Sequence, residues 1–171
     1  VAGSGLVVEA GLTYNPNGVL SQTHDTTVGV SLTNPTDQAA FDVIINVDLL
    51  DADGHFVDMT HQNLPYVLPG QTWYTGVSPV AMSDTAPPAT TRVRVWVDHW
   101  ADPTNAEFGN LGPLDLTAFD FEVTDQRFIV DSSRQATILA TITNRSEQAV
   151  EGAWIGCALL RDGHPVGGLN T

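Results

Sequence analysis

The chain contains no lysine, and this absence narrows the chemistry available to it. All six basic residues among its 171 are arginines, against 20 acidic residues, so the formal net charge is -14 at pH 7. Schiff-base chemistry and the Walker-type phosphate loop both need a lysine. Nucleic acid and anionic lipid both need a basic surface to bind to. The composition therefore predicts that neither is a partner of this chain.

Cysteine and long apolar runs are also scarce. Cys157 is the single cysteine, so neither an intrachain disulfide nor a thiolate metal cluster can form. It stands in an apolar run, which predicts a small, buried side chain in a strand. No apolar stretch reaches the ~20 residues of a membrane-spanning helix, and the first residues lack the pattern of a signal peptide. Any export signal or anchor is expected outside the given sequence.

The sequence contains an internal repeat. Residues 33–40 match residues 143–150, Leu49 and Leu50 fall on Leu159 and Leu160 at the same shift, and residues 53–55 match 162–164 after a one-residue deletion. A match at one register over this many positions indicates two copies of one structural unit. The predicted organisation is a first module over residues 1–103, a linker rich in Asn, Gly and Pro over 104–114, and a second module over 115–171.

Within each copy, apolar side chains recur at every second position, which predicts half-buried strands. The expected core positions are Val28, Val30, Leu32, Val43, Ile45, Val47 and Leu49, with Ile138, Ala140 and Ile142 in the second copy. Short strands separated by turn signals predict an all-β fold, as two tandem immunoglobulin-like antiparallel sandwiches. The second module is expected to be short at its C-terminus. Either the natural protein is longer, or a neighbouring chain supplies strands by β-augmentation.

Several segments of the first copy carry a family resemblance. They are the strand that ends at Thr33-Asn34, the hairpin after residues 47–51, the Asp53-Gly54 turn and residues 68–72. Together these segments resemble the FxLYD family of bacterial extracellular immunoglobulin-like domains. Val47 stands where the family name has phenylalanine and Leu50 where it has tyrosine, while the second copy has Cys-Ala-Leu-Leu-Arg at residues 157–161. The resemblance implies a fold and an extracellular or cell-envelope setting, and it brings no catalytic residues.

Acidic residues cluster at one turn, which makes it a weak candidate for a metal site. Asp51, Asp53 and Asp58 are the candidate ligands, with two histidines nearby. The spacing fails as an EF-hand loop, because Gln62 stands where that loop needs a bidentate glutamate. Aspartate and glycine are also common in solvated hairpin turns, so a turn without a cation is the alternative.

One strand combines arginine with tryptophan. Between residues 92 and 100, Val93, Val95 and Val97 are expected to face the core. The alternate positions form a candidate contact face made of Arg92, Arg94, Trp96, Asp98 and Trp100. Arginine and tryptophan are enriched at the energetic centres of protein interfaces, and tryptophan presents a broad apolar surface. The alternative is that the aromatic side chains pack against the N-terminal strand or the second module.

Catalytic motifs are missing from the sequence. It contains neither a Gly-x-Ser-x-Gly elbow nor an HExxH zinc helix, and no base adjoins the lone cysteine. The sequence therefore predicts a non-enzymatic binding or scaffold module that needs no cofactor. It is expected to act through protein–protein contacts or self-association in the bacterial cell envelope or outside the cell. Two alternatives stay open: a structural subunit of a polymeric surface assembly joined by strand complementation, and a carbohydrate-binding module.

Overall fold

A computed structural model describes residues 4–15, 24–82, 86–107, 113–130, 136–150 and 155–170. These residues form antiparallel strands joined by turns, with two short 3₁₀ helices, Pro103–Asn105 and Leu116–Ala118, and no α-helix. The strands are β1 Val7–Asn15, β2 His24–Thr33, β3 Ala39–Leu50, β4 Phe56–Val67, β5 Thr72–Met82, β6 Thr90–Trp96, β7 His99–Ala101, β8 Ala106–Glu107, β9 Pro113–Leu114, β10 Phe121–Val130, β11 Ala136–Asn144, β12 Gly156–Arg161 and β13 His164–Asn170. The predicted all-β class is confirmed. Neither of the two 3₁₀ helices has the length or hydrophobicity needed to cross a membrane.

Two compact units make up the chain. The first combines Val1–Asp102 with Trp154–Thr171, and the second is Pro103–Ala153. The boundary after residue 102 lies one residue from the predicted end of the first module. The predicted grouping of residues 115–171 differs from this division, because Trp154–Thr171 belongs to the first unit. The number of complete tandem sandwiches stays a prediction.

The first unit has two sheets around one core. One sheet has the order β1-β2-β5, and the other has the order β4-β3-β6, with β7 also paired to β3. Between them lie the apolar positions predicted from the period of two. Val28, Val30, Leu32, Val43, Ile45, Val47 and Leu49 are each at most 1% exposed. These seven predictions are confirmed, and alternation along β2 and β3 directs the intervening side chains away from this core.

The turn between β2 and β3 and its counterpart in the second copy share local hydrogen bonds made by an asparagine side chain. Asn34 Nδ2 donates to the Gln38 carbonyl oxygen at 2.7 Å, and Asn144 Nδ2 donates to that of Gln148 at 2.8 Å. In each copy the asparagine Oδ1 also accepts from the backbone N–H two residues later, at 3.0 Å. An asparagine that mimics a backbone turn in this way explains why asparagine recurs at this position of the repeat.

The second matching turn differs in length, as the one-residue deletion requires. In the first copy Gly54, at φ 83°, is the last residue of a three-residue loop. The backbone N–H of Gly54 donates to the Asp51 carbonyl oxygen at 3.1 Å. In the second copy Asp162 and Gly163 have φ 53° and 85°, the two positive values of a type I′ hairpin. The shorter loop therefore still joins paired antiparallel strands, β12 and β13.

The β12–β13 hairpin lies against the β1-β2-β5 sheet at backbone distance. Gly11, Gly29 and Gly76 are cross-strand neighbours and form a row across all three strands of that sheet. A Cβ added at Gly11 would lie 1.9 Å from the Pro165 carbonyl oxygen, and one at Gly29 would lie 2.2 Å from that of Gly167. Only a row without side chains admits a second layer this close.

Two polar contacts hold the same hairpin in place. Thr13 Oγ1 donates to the Val166 carbonyl oxygen at 2.6 Å, and His164 Nδ1 lies 2.7 Å from Glu9 Oε1. Together with the glycine row, these contacts explain why Trp154–Thr171 belongs to the first unit. Cys157, predicted to be buried, is half-buried within β12.

In the second unit, β10 and β11 pair with each other over most of their length. Ile142, which the repeat aligns with the buried Leu32, is 42% exposed, so its predicted burial is wrong in this structure. The other strongly exposed apolar side chains of this hairpin are Phe121, Val123, Phe128, Ile129 and Leu139, at 43–53%. The physical reason is that β10 and β11 form a two-stranded sheet, and the other described sheet of the second unit, β8-β9, has strands of only two residues, too short to cover it.

Candidate functional site

The outer face of the β4-β3-β6 sheet carries three rows of side chains. Antiparallel register sets them as Met59–Asp48–Arg92, His61–Asn46–Arg94 and Asn63–Ile44–Trp96. We call these nine residues the outer face. Trp96 is 66% exposed, and Met59 and Ile44 are 46% and 38% exposed. Three of the predicted contact residues, Arg92, Arg94 and Trp96, therefore lie in line on one exposed surface.

Asp48 lies beneath the two arginines of the outer face. Its side chain is 1% exposed, whereas those of Arg92 and Arg94 are 62% and 61% exposed. Arg92 donates to Oδ2 through Nε at 2.9 Å and Nη2 at 2.7 Å, and Arg94 Nη2 donates to Oδ1 at 2.7 Å. Both guanidinium groups are thus fixed by one buried carboxylate. Sequence reasoning missed Asp48, because an acid at an outward position of a strand is ordinarily solvated and its cover of two arginines depends on the pairing of β3 with β6.

The two arginines set the charge of Asp48. Burial by itself raises the pKa of this carboxyl, but the hydrogen bonds and positive charges of Arg92 and Arg94 outweigh burial and hold its pKa below the ordinary value. Charge-assisted hydrogen bonds favour the ionised acceptor in this way. Asp48 is therefore ionised at neutral pH and bears one negative charge against two positive ones.

Asp48→Asn should lower the free energy of unfolding by about 2 kcal/mol at pH 7, because the charge-assisted bonds are lost. A carboxyl with a depressed folded-state pKa stabilises the fold above its unfolded pKa of about 3.9, and this contribution disappears as pH falls toward the folded pKa. The difference in unfolding free energy between the wild type and Asp48→Asn should therefore become smaller in acid. Urea denaturation across this pH range measures it, with the exposed Asp53→Asn as control. A difference that stays constant down to the lowest pH contradicts the assignment.

A cleft of about 540 Å³ opens beside Trp96 at the end of the outer face. It is lined by Asp42, Ile44, Asn63, Leu64, Pro65, Trp96 and Asp98. The lining thus combines an indole ring and aliphatic side chains with two carboxylates and an amide. Apolar walls with a few polar groups are typical of surfaces that receive a ligand or a partner's side chain.

The cleft forms where the alternation of the sheet is interrupted. Asp42 has a φ of 48°, and both Ala40, two residues before it, and Val43, directly after it, belong to the core. The side chain of Phe41 instead stacks on His99, with ring centroids 5.0 Å apart and planes at 10°. The left-handed Asp42 thus shifts the inward-pointing positions of β3 by one residue. The regular pleat of the sheet is interrupted at this end.

The same interruption corrects the predicted contact face. Trp100 was expected beside Trp96, but it is half-buried and packs against the core on the opposite side. Val97 also packs against the core. The inward-facing residues Val97 and Trp100 are therefore three positions apart along the chain, where a regular strand would place them two apart. Trp100 packs near the N-terminus, because a Cβ added at Gly5 would lie 3.1 Å from the ring of Trp100. Asp98 stays exposed and lines the cleft.

The predicted metal candidates are only partly brought together. Among the described residues, Asp51, Asp53 and His55 place ligand atoms within 4.8 Å of one another, and Asp58 is not in this group. Asp51 Oδ1 accepts from the backbone N–H of His55 at 2.8 Å and of Asp53 at 2.9 Å. The His55 backbone bond is the main reason that the pKa of Asp51 is lowered. These bonds are those of a closed hairpin turn.

A second group of possible metal ligands lies at the cleft. Asp42, Asp98 and His99 also place their ligand atoms within 4.8 Å of one another, and all three are exposed. His99 Nδ1 lies 3.2 Å from Asp98 Oδ2. Sequence reasoning named Asp98 but missed Asp42 and His99, because their approach depends on the pairing of β3 with β7.

Known proteins give no information about the role of this site. The sequence matches no protein-family model and no curated protein. One solved structure, the X-ray structure of Northeast Structural Genomics Consortium target SoR45, is similar over 90% of this chain and 97% of that one, at 13% identity. Its TM-score of 0.24 is too low to support an argument about fold or function. The resemblance to FxLYD domains therefore stays a prediction.

Proposed function

We propose that this chain is a non-catalytic binding module that contacts a protein partner through the outer face. The observation that carries the proposal is the exposure of Trp96, at 66%, in register with Ile44 and beside two arginines. Tryptophan, arginine and methionine are among the residues enriched in protein interfaces, and tryptophan and arginine are common at their energetic centres. The FxLYD resemblance supports a bacterial extracellular or cell-envelope setting as part of the same proposal.

The ion pairs beneath the outer face support binding over a purely structural role for the arginines. A flexible arginine loses rotamer freedom when a partner fixes it, which subtracts from the affinity. Here Asp48 holds Arg92 and Arg94 with bonds of 2.7–2.9 Å while more than half of each side chain stays exposed. The guanidinium groups are therefore already oriented before a partner arrives.

A matched pair of variants tests the proposal. Trp96→Ala should reduce partner capture from the native envelope or secreted fraction by about 30-fold, the loss expected at a hot spot. Val7→Ala, a 60% exposed position in the other sheet, should leave capture unchanged. Far-ultraviolet circular dichroism and thermal melting should show both variants folded. Equal capture by the wild type and the folded Trp96→Ala variant would contradict the proposal.

A structural subunit of a polymeric surface assembly is the second candidate function. It is favoured by the exposed apolar side chains of the β10–β11 hairpin, of which Phe128 is 53% exposed. Apolar surface of this kind favours burial against another chain. Sedimentation velocity distinguishes the two candidates, because a subunit of this kind should associate at micromolar concentration and a monomeric binding module should not.

A further inference from the structure

We infer that the cleft beside Trp96 receives a cationic side chain, arginine or lysine, from the protein partner. The inference rests on the proposed function, since it names the chemistry of the partner at the same face. The cleft, its indole wall and its two carboxylates carry the inference together. Each of these features is located in the first unit, between residues 42 and 99.

The walls of the cleft match the two parts of such a side chain. Trp96, Ile44 and Pro65 offer apolar surface to an aliphatic stem, which long cationic side chains readily bury. Asp42 and Asp98 offer carboxylate oxygens to the charged head in the same cleft. A cation placed over an indole face is also attracted by the ring, and most strongly by tryptophan.

The charges around the cleft favour a cation over an anion or a neutral group. Arg92 and Arg94, the nearest cationic residues along β6, both bind the buried Asp48. In the described part of the chain, the carboxylates of the cleft have only His99 as a basic neighbour, 3.2 Å from Asp98. The net charge of -14 also attracts a basic partner over longer distances. The cleft is therefore the acidic end of a face whose other end carries two arginines.

A metal ion suits the cleft less well than a side chain does. The group of Asp42, Asp98 and His99 brings together only three residues of the described chain. Calcium takes six to eight oxygen ligands, and a closed zinc site takes four ligands from the protein. The apolar lining formed by Trp96, Ile44 and Pro65 contributes nothing to metal binding, whereas it covers the stem of an arginine.

The test uses the capped tripeptide Ac-Gly-Arg-Gly-NH₂ and its citrulline analogue, which has nearly the same shape and no charge. Titration of the full chain is followed by the indole N–H resonance of Trp96, assigned with Trp96→Phe. We expect the arginine peptide to shift this resonance with a dissociation constant on the order of millimolar, as one side chain provides few contacts. The citrulline peptide should bind about tenfold more weakly, and added salt should weaken the binding of the arginine peptide.

Two conservative variants locate the binding site of the tripeptide. Asp98→Asn and Asp42→Asn should each weaken it about fivefold. Asn adopts the left-handed conformation at least as readily as Asp, so the φ of 48° at residue 42 is kept. Asp37→Asn, an exposed acid in the β2–β3 turn, should leave the affinity unchanged. This control separates binding at the cleft from general attraction to an acidic chain.

Several results would overturn the inference. Equal affinities for the arginine and citrulline peptides would show that charge does not determine binding. Equal losses of peptide affinity in Asp98→Asn and Asp37→Asn would show that the peptide does not bind in the cleft. Micromolar binding of Ca²⁺ or Zn²⁺ that shifts His99 and excludes the peptide replaces it with a metal site. A shift of Trp96 by oligosaccharides but not by the arginine peptide replaces it with a glycan site. If partner capture still depends on Trp96 while the peptide fails to bind, the proposed function stands and only this inference falls.

Discussion

Asn34→Ala should lower the free energy of unfolding of the first unit by about 3 kcal/mol, through the loss of one buried and two part-buried hydrogen bonds. The Asn34 side chain is fully buried. Its Nδ2 donates to the Gln38 and Val67 carbonyl oxygens at 2.7 and 2.9 Å, and its Oδ1 accepts from the Thr36 backbone N–H at 3.0 Å. An alanine removes all three bonds. The Gln38 carbonyl oxygen still accepts from Thr36 Oγ1 at 3.0 Å, and each buried group left unpaired costs about 1–3 kcal/mol.

The position of Asn34 explains why its loss should exceed that of an ordinary turn residue. Its backbone N–H donates to the Gln71 carbonyl at 3.0 Å, and its carbonyl accepts from the Gly70 N–H at 2.8 Å. One residue thus connects the β2–β3 turn to the end of β4 and to the loop before β5. Asn34→Ala keeps these two backbone bonds but removes the side-chain bond to the Val67 carbonyl oxygen at the end of β4, which joins the two sheets of the sandwich.

The repeat supplies a matched control. Asn144→Ala removes the bonds to Gln148 and Ser146, but Asn144 is exposed, and the described structure gives its side chain no bond equivalent to that between Asn34 and Val67. Its effect should stay below about 1 kcal/mol. Tryptophan fluorescence during urea denaturation reports the first unit, which contains Trp73, Trp96 and Trp100. Asn34→Ala should shift that transition strongly, and Asn144→Ala should leave it in place. Similar shifts in both variants would contradict the argument.

The core of the first unit was predictable because one physical rule determines it. In an antiparallel sandwich each strand has one buried face, so an apolar residue at every second position marks the core without knowledge of the partner strands. Val28, Val30 and Leu32 obey this rule, and so do the alternate residues from Val43 to Leu49. The repeat likewise identified both asparagine turns, since their hydrogen bonds are local in sequence.

The misplaced Trp100 shows where that rule stops working. A single left-handed residue, Asp42, changes which positions of β3 point inward, and the neighbouring strand follows through its pairing with β3. Aspartate tolerates this conformation without requiring it, so the sequence alone does not mark the change. The cleft was missed for the same reason: Asp42 and Asp98 are distant in sequence and meet only across the paired strands.

The second copy departs from the predictions because its burial depends on tertiary packing. Its apolar alternation matches that of the first copy, yet Ile142 is 42% exposed where the aligned Leu32 is fully buried. An alternating strand buries its apolar face only if another layer covers it. Asp48 was missed through a related difficulty, since an acid on the outer side of a strand is ordinarily solvated, and here two arginines cover it.

Gly29→Ala should detach the β12–β13 hairpin from the sheet beneath it and destabilise the first unit by about 3 kcal/mol, the upper range for overpacking. The new Cβ would lie 2.2 Å from the Gly167 carbonyl oxygen, with the backbone nitrogen and carbon of Gly167 within 2.9 Å. Because the crowded atoms are backbone on both sides, no side-chain rotation relieves the contact. The hairpin must move as a whole, and its contact with Thr13 is lost with it.

Hydrogen exchange measured by mass spectrometry tests this displacement directly. Peptides covering residues 156–170 should lose their protection in Gly29→Ala, and Gly11→Ala should have the same effect through the Pro165 carbonyl 1.9 Å from its added Cβ. Gly54→Ala is the control, because its Cβ would meet nothing within 4 Å. That variant should lose about 1 kcal/mol through its positive φ yet keep the hairpin protected. Faster exchange in all three variants would mean that general destabilisation, and not the glycine row, controls how the hairpin is held.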